Sequence, residues 1–409
     1  MKKLLSEKWG VIILCWFVYT CSYIGKMGYS ANIIQIEKTF DVSHATAGIV
    51  STCFFFAYGA GQIINGIFCK KYNVKYVIFF SLLVSGVCNL LMGILQTIVY
   101  QKYIWFINGA TLSVLWPSLI RYLSERLKKE EMSSAVVAMG TTVAVGTATV
   151  YGLSALFAEF LFYRMIFFVA AVVLPIMAAS WFIISAKYIP ENVNQLQQLR
   201  VNENNKRGAG KTLIVSIAVL AIFAIITNLT KDGLTTWVPS ILKEIYSLPD
   251  SISILLTLLL PVLAIFGTAV AAKLRKKIPD FIGICITLFS VNALLIGTVI
   301  MFLSVSAIIT LVSFALVSCF MAGINNVITS MAPLYWKDKI NSGMLAGILN
   351  GFCYVGSTIS SYGLGFVADS YGWNVVFWLL FILCTVCVVI GFVQLLFSYK
   401  LKNSVKREI

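Results

Sequence analysis

Apolar stretches of about twenty residues, broken at short intervals by charged segments, fill this chain from end to end. A stretch of that length crosses the hydrocarbon core of a bilayer as one α-helix, so the chain reads as an all-α membrane protein. Composition agrees: 59% of the 409 residues are hydrophobic and 11% are charged, where a soluble domain is about a quarter charged. With 28 glycines, 8 prolines and 13% aromatic residues, long disordered and collagen-like architectures are excluded as well.

Setting the apolar runs against the charged breaks predicts twelve spans. In the first half they cover 10–36, 45–69, 76–98, 102–124, 133–158 and 162–187, and in the second 211–236, 250–272, 280–304, 306–332, 341–368 and 373–399. The 31 basic residues exceed the 16 acidic ones, which by itself would suggest nucleic acid or an anionic surface as partner. Their positions give another answer. With the N-terminus in the cytoplasm, 25 of the 31 fall in cytoplasmic segments, and Lys38, Lys102, Arg164 and Lys243 fall in outer loops. The surplus is topological, following the positive-inside rule, and an even span count puts both termini in the cytoplasm of a plasma-membrane protein.

The start, Met1-Lys2-Lys3 followed by the apolar run Val11 to Tyr19, imitates a signal peptide but lacks a clean small-x-small cleavage site and is kept as span 1. The ten cysteines lie almost all within spans, and Cys384-x-x-Cys387 has no histidine or charged neighbour. His44 is the one histidine of the chain. No metal site, cofactor or enzyme constellation is therefore expected.

Residues 188–210 form the one long polar stretch and read as a cytoplasmic tether between two six-span halves, 1–187 and 211–409. The halves echo each other: Lys26-Met27-Gly28 precedes Lys38 as Lys231-Asp232-Gly233 precedes Lys243, with 231 − 26 = 243 − 38 = 205. Parallel repeats of this kind build rocking transporters, whose site lies between the halves near the midplane.

Two lysines carry the chemistry. The run Val11 to Ile24 is too short to cross alone, so span 1 continues past Lys26. That sets an ammonium inside the membrane at a cost of about 3 kcal/mol, which marks it as functional unless it snorkels or is paired structurally. Lys231 sits either at the outer boundary of span 7 or, as the shared offset favours, in the central cavity. Tyr19, Tyr23 and Lys26 follow at i, i+4 and i+7 on one helical face, and Asn228 and Lys231 at i, i+3. Such donors suit an anion's oxygens, and a dianion between facing lysines would draw the halves together. Asp232 reads as a local partner of a lysine or as a proton carrier.

Several motifs in order resemble the organophosphate:phosphate antiporters of the major facilitator superfamily, among them the glycerol-3-phosphate and hexose-phosphate transporters. They are Tyr19-x-x-x-Tyr23-x-x-Lys26, Ala57-Tyr58-Gly59, Trp116-Pro117-Ser118-Leu119-Ile120-Arg121, the segment Lys231 to Glu244 (similar to R-x-G-x-x-x-W-x-P-x-x-L-K-E), Tyr354-Val355-Gly356-Ser357 and Tyr371-Gly372-Trp373. The resemblance implies twelve transmembrane helices in two pseudo-symmetric halves. It also implies a substrate site of Lys26, Lys231, Tyr19, Tyr23, Tyr58, Asn228 and Tyr354, with Arg121 and Lys70 serving gating or topology. A small organic anion, a phosphate ester or phosphonate, would exchange against inorganic phosphate in a lipid-embedded monomer with no nucleic-acid partner. Proton- or sodium-coupled uptake of a sugar acid and non-transporting sugar-phosphate sensing are the alternatives. The chain departs from the pattern in having lysines for the two central arginines, Val143 for a histidine, Gln62 for a lysine and Lys70 for an acidic residue. Lysine is a point charge where arginine offers a planar fork.

Overall fold

The computed structural model describes residues 2–68, 72–127, 131–159, 162–187, 211–336, 340 and 342–407. The tether 188–210 and Lys70 lie outside the described residues. Among the described residues, twelve helical spans follow one another. Eleven contain helices long and apolar enough to cross a membrane. The remaining one, span 11 at Ser342–Tyr371, is a 30-residue helix whose apolar character is diluted by Gly, Ser and Tyr.

Proline sets most of the irregularities. A proline lacks an N–H and crowds the carbonyl four residues before it. Span 4 accordingly divides into Ile98–Leu112 and Leu115–Arg126 just before Pro117. Span 8 divides into Asp250–Thr257 and Leu259–Lys277 before Pro261. In span 10 a π-turn, Val327–Met331, joins Ala307–Asn326 to Ala332–Tyr335 around Pro333. Span 1 breaks for a different reason. Lys2–Ala31 ends and Ile33–Phe40 begins at Asn32, whose amide turns onto the Gly28 carbonyl and the Ser154 hydroxyl, both at 2.8 Å. The expected continuous span to residue 36 is thus two helices.

Span 7 goes the other way. It runs unbroken as Lys211–Tyr246, past the predicted end at 236. Lys231 therefore has 15 further helical residues beyond it (246 − 231), or about 22 Å of helix. It is an interior residue of that helix.

The halves are packed alike. Spans 1 and 5, 2 and 4, and 3 and 6 pair in the first; spans 7 and 11, 8 and 10, and 9 and 12 pair in the second. Between halves, span 2 lies along span 11 and span 5 along span 8. Glycines allow the first contact. A Cβ on Gly48 would stand 2.1 Å from the Ser361 carbonyl oxygen, and one on Gly59 2.6 Å from Tyr354 Cβ.

Candidate functional site

Lys26 is 6% exposed and sits where the halves meet. Its ammonium stands 4.2 Å from the centre of the Tyr58 ring, 5.1 Å from Tyr23 and 5.2 Å from Tyr354. It also reaches the Tyr354 hydroxyl at 3.4 Å. Tyr19 completes the group, its hydroxyl 3.5 Å from that of Tyr58 and its ring against Tyr23 and Trp116. Spans 1 and 2 supply four of these side chains and span 11 supplies Tyr354, so the cage closes across the interface. Ring faces stabilise a desolvated cation by about 2 kcal/mol or more. They do not cancel its charge. Among the described residues, the carboxylate of this region, Asp232, pairs with Lys231 and not with Lys26.

Lys231 has a different setting. Its ammonium is 3.3 Å from one Asp232 oxygen. The other oxygen accepts from the Ser357 hydroxyl and, at 3.4 Å, from the Asn228 amide. Asn228 in turn accepts from Asn325 at 2.8 Å, and Asn325 reaches Cys353 Sγ at 3.4 Å. The two lysines share an offset but not an environment: one is caged by rings, the other is held in a polar network. Nearer the termini, Asn350 of span 11 donates to Gln62 of span 2 at 3.2 Å. The predicted lining residues Lys26, Tyr19, Tyr23, Tyr58 and Tyr354 converge on one cage, and Lys231 and Asn228 on the adjoining network. Asn325 and Asn350 are not among the predicted lining residues, and Ser357 enters the sequence reading only as the last residue of the motif Tyr354 to Ser357. Paired amides inside apolar runs, as in Asn325-Asn326, are the signal that could have found them.

Arg121 lies apart. It bonds Glu125 one turn on at 2.7 Å and the Tyr72 carbonyl at 3.0 Å, fastening span 4 to the start of span 3.

A second cluster closes the face opposite the chain termini, hereafter the distal face. His44, at the start of span 2, has Nδ1 2.8 Å from Glu37 and Nε2 3.0 Å from Glu244 of the other half. Its ring packs against Trp237 and Trp373. Asp369 of span 11 accepts from the backbone N–H groups of His44 and Ala45 at 3.0 and 2.8 Å, capping span 2 from across the interface. Lys38 and Lys243, the pair related by the offset, both reach Asp250, at 2.8 and 3.0 Å. Glu159 and Ser251 add a contact of 2.6 Å. Burial pushes the Glu37 carboxyl up from its ordinary value, with the His44 hydrogen bond pulling against it. Glu37, His44 and Glu244 place ligand atoms within 4.8 Å of one another. The carboxylates sit at opposite edges of the ring, however, the arrangement of a bridged ion pair; a metal would need them at one edge.

The family description "Major Facilitator Superfamily" matches residues 15–342. The membrane sensor protein UhpC of Escherichia coli (strain K12) is 22% identical over 99 residues, which are 24% of this chain and 23% of that protein. A probable hexose phosphate transport protein of Chlamydia trachomatis is 21% identical over 159 residues, 39% of this chain and 35% of that one. The matched stretches thus span well under half of either relative. Among solved structures, a bacterial homologue of the human lysosomal transporter Spinster, inward-facing and occupied, superposes with a TM-score of 0.77. That match covers 94% of this chain and 96% of the other at 12% identity, and it shows the fold.

Proposed function

The chain belongs to the Major Facilitator Superfamily, and from that premise we propose that it is a secondary transporter carrying a small organic anion by alternating access. The observation that supports this best is Lys26, a buried ammonium caged by tyrosines from both halves and free of any ion pair among the described residues. An anion entering beside it supplies the missing counter-charge and touches both halves at once. Its differential contacts in the two orientations of the halves are what drive the exchange of access.

A phosphate ester or phosphonate exchanged against inorganic phosphate is the cargo we infer, in line with the motif resemblance and with hexose phosphate transport proteins among the relatives. On the positive-inside reading the distal face is the outer face of a plasma membrane and both termini are cytoplasmic. The closed distal cluster then separates the site from the outside. Counterflow in proteoliposomes tests the assignment. Vesicles loaded with inorganic phosphate should take up labelled phosphate, and organophosphates should inhibit. Lys26→Gln should abolish uptake while leaving the protein folded in the membrane; undiminished uptake by that variant would sink the proposal.

One observation favours a second reading. Asp232 beside Lys231 leaves the site less positive than two bare lysines would be. A sugar acid moved by ion-coupled symport fits that charge. Uptake that needs no internal phosphate would distinguish it. A sensing role, as named for the Escherichia coli relative, would show as ligand binding without measurable flux.

A further inference from the structure

The two halves place their central lysines at one offset but differ there in charge. At the offset of 205 (228 − 23 = 231 − 26 = 233 − 28), Tyr23, Lys26 and Gly28 correspond to Asn228, Lys231 and Gly233. The same offset carries Met27 onto Asp232 (232 − 27 = 205), so the second half bears a carboxylate where the first bears a thioether. That carboxylate is built in: Lys231 holds one oxygen at 3.3 Å, and Ser357 and Asn228 hold the other. The two settings adjoin: Tyr354 reaches Lys26 at 3.4 Å, and Ser357, one turn further along the same helix, bonds Asp232. The formal charges of Lys26, Lys231 and Asp232, +1, +1 and −1, sum to +1.

Building on the transporter reading above, we propose that Asp232 sets the charge of the cargo: it neutralises Lys231, leaves Lys26 as the one uncompensated cation, and selects an organic anion with a single negative charge and a hydroxylated body. A monoanion brings the site to neutrality. A dianion leaves a surplus negative charge in a low-dielectric region that already contains a fixed carboxylate. The rest of the site suits hydroxyl groups. Asn228, Asn325 and Ser357 bond one another and Asp232, and a sugar-like body entering beside Asp232 can exchange its hydroxyls for these partners. The head is then a carboxylate, a phosphodiester or a phosphate monoester in its singly protonated form, since all three present oxygens bearing one charge.

Three probes separate charge from shape: glucose 6-phosphate, its methyl phosphodiester and gluconate, with binding to the purified protein read by thermal shift. The second ionisation of a phosphate monoester lies near pH ~6, so about one molecule in a hundred is singly charged at pH 8. Wild-type protein should lose on the order of fifty-fold in apparent affinity for glucose 6-phosphate between pH 6 and pH 8, following that fraction. Affinities for the methyl ester and gluconate should hold over the same range. The groups facing Asp232 and Lys231 from other elements are Lys26 and Tyr23 of span 1, Tyr151 of span 5, and Cys353 and Tyr354 of span 11. Titration of any of them would move all three probes together, so the methyl ester is the internal control.

Asp232→Asn retains a side chain of the same shape for Ser357 and removes the charge. It should reverse the ranking at pH 8, with glucose 6-phosphate bound at least as tightly as its methyl ester. A wild-type preference for the doubly charged probe at pH 8 overturns the proposal, as does a folded Asp232→Asn protein that ranks the probes as wild type does. If the variant does not fold, the wild-type pH comparison decides alone. Absence of binding by all three probes, with Lys26→Gln indistinguishable from wild type, would mean that the anion-transporter reading itself fails.

Discussion

Around Lys26 the relative weight of ring faces and hydroxyls can be measured. Tyr354→Phe keeps a ring beside the ammonium and removes a contact of 3.4 Å. A hydrogen bond from a charged donor is worth about 1.5–3 kcal/mol, and this long one falls at the weak end, so the KM for counterflow should rise by roughly tenfold with little change in kcat. Tyr58→Ala removes the nearest ring, 4.2 Å away, and leaves a void beside a buried cation; the expected loss is larger and includes protein stability, read by melting temperature. Lys26, Tyr19 and Tyr23 were legible in the sequence because helical periodicity places them on one face, whereas Tyr58 and Tyr354 followed only from the motif resemblance. The pairing of Asp232 with a neighbouring lysine was legible too. Its contact with Ser357 was not, because Ser357 lies 125 residues away and no local pattern brings the two together.

Elements carry the conformational behaviour, and spans 2 and 11 carry most of it. Gly48→Ala would place a methyl group against the backbone of Ser361, with 2.1 Å where an ordinary contact needs well over 3 Å. The spans must part, and the closed distal face should become less populated. A reporter is Ser361→Cys, buried between the spans; its alkylation by a membrane-impermeant maleimide, scaled to denatured protein, should quicken in the Gly48→Ala background. The same reporter reads pH. Both ring nitrogens of His44 contact carboxylates, and a neutral imidazole has only one N–H to donate. Glu37, its carboxyl raised by burial, also takes up a proton more readily when the face is closed. Both groups therefore bind protons on closure, so closure is favoured at low pH and weakens as pH rises. Alkylation should increase from pH 6 to 8.5, with Glu244, Asp369, Lys38 and Lys243 as the surrounding charges, and His44→Gln should flatten the change.

For the whole molecule, Asp250 ties the halves. Lys38 of the first and Lys243 of the second, 205 residues apart (243 − 38), converge on one carboxylate. Asp250→Asn leaves two ammonium groups close together without their shared counter-ion. Of the two pairs only Lys38–Asp250 crosses between the halves, and a partly exposed pair contributes about 0.2–1 kcal/mol, so the balance between the two access states should shift by roughly fivefold or less toward distal opening. Distance distributions between spin labels on the distal ends of spans 5 and 8 would show that shift as a longer component; an unchanged distribution would assign the latch to the His44 cluster alone.

The number of spans, their approximate limits, the repeat and the family were readable along the chain, because partition into a bilayer depends on local runs of apolar residues. The breaks before Pro117, Pro261 and Pro333 could have been read in the same way, since a proline acts on the turn that precedes it. The inequality of the two lysines, the caging of Lys26 by a tyrosine from the other half, and the convergence of Lys38 and Lys243 on Asp250 could not. Each depends on side chains from distant segments meeting at the interface of the halves, and that meeting is set by how the helices pack.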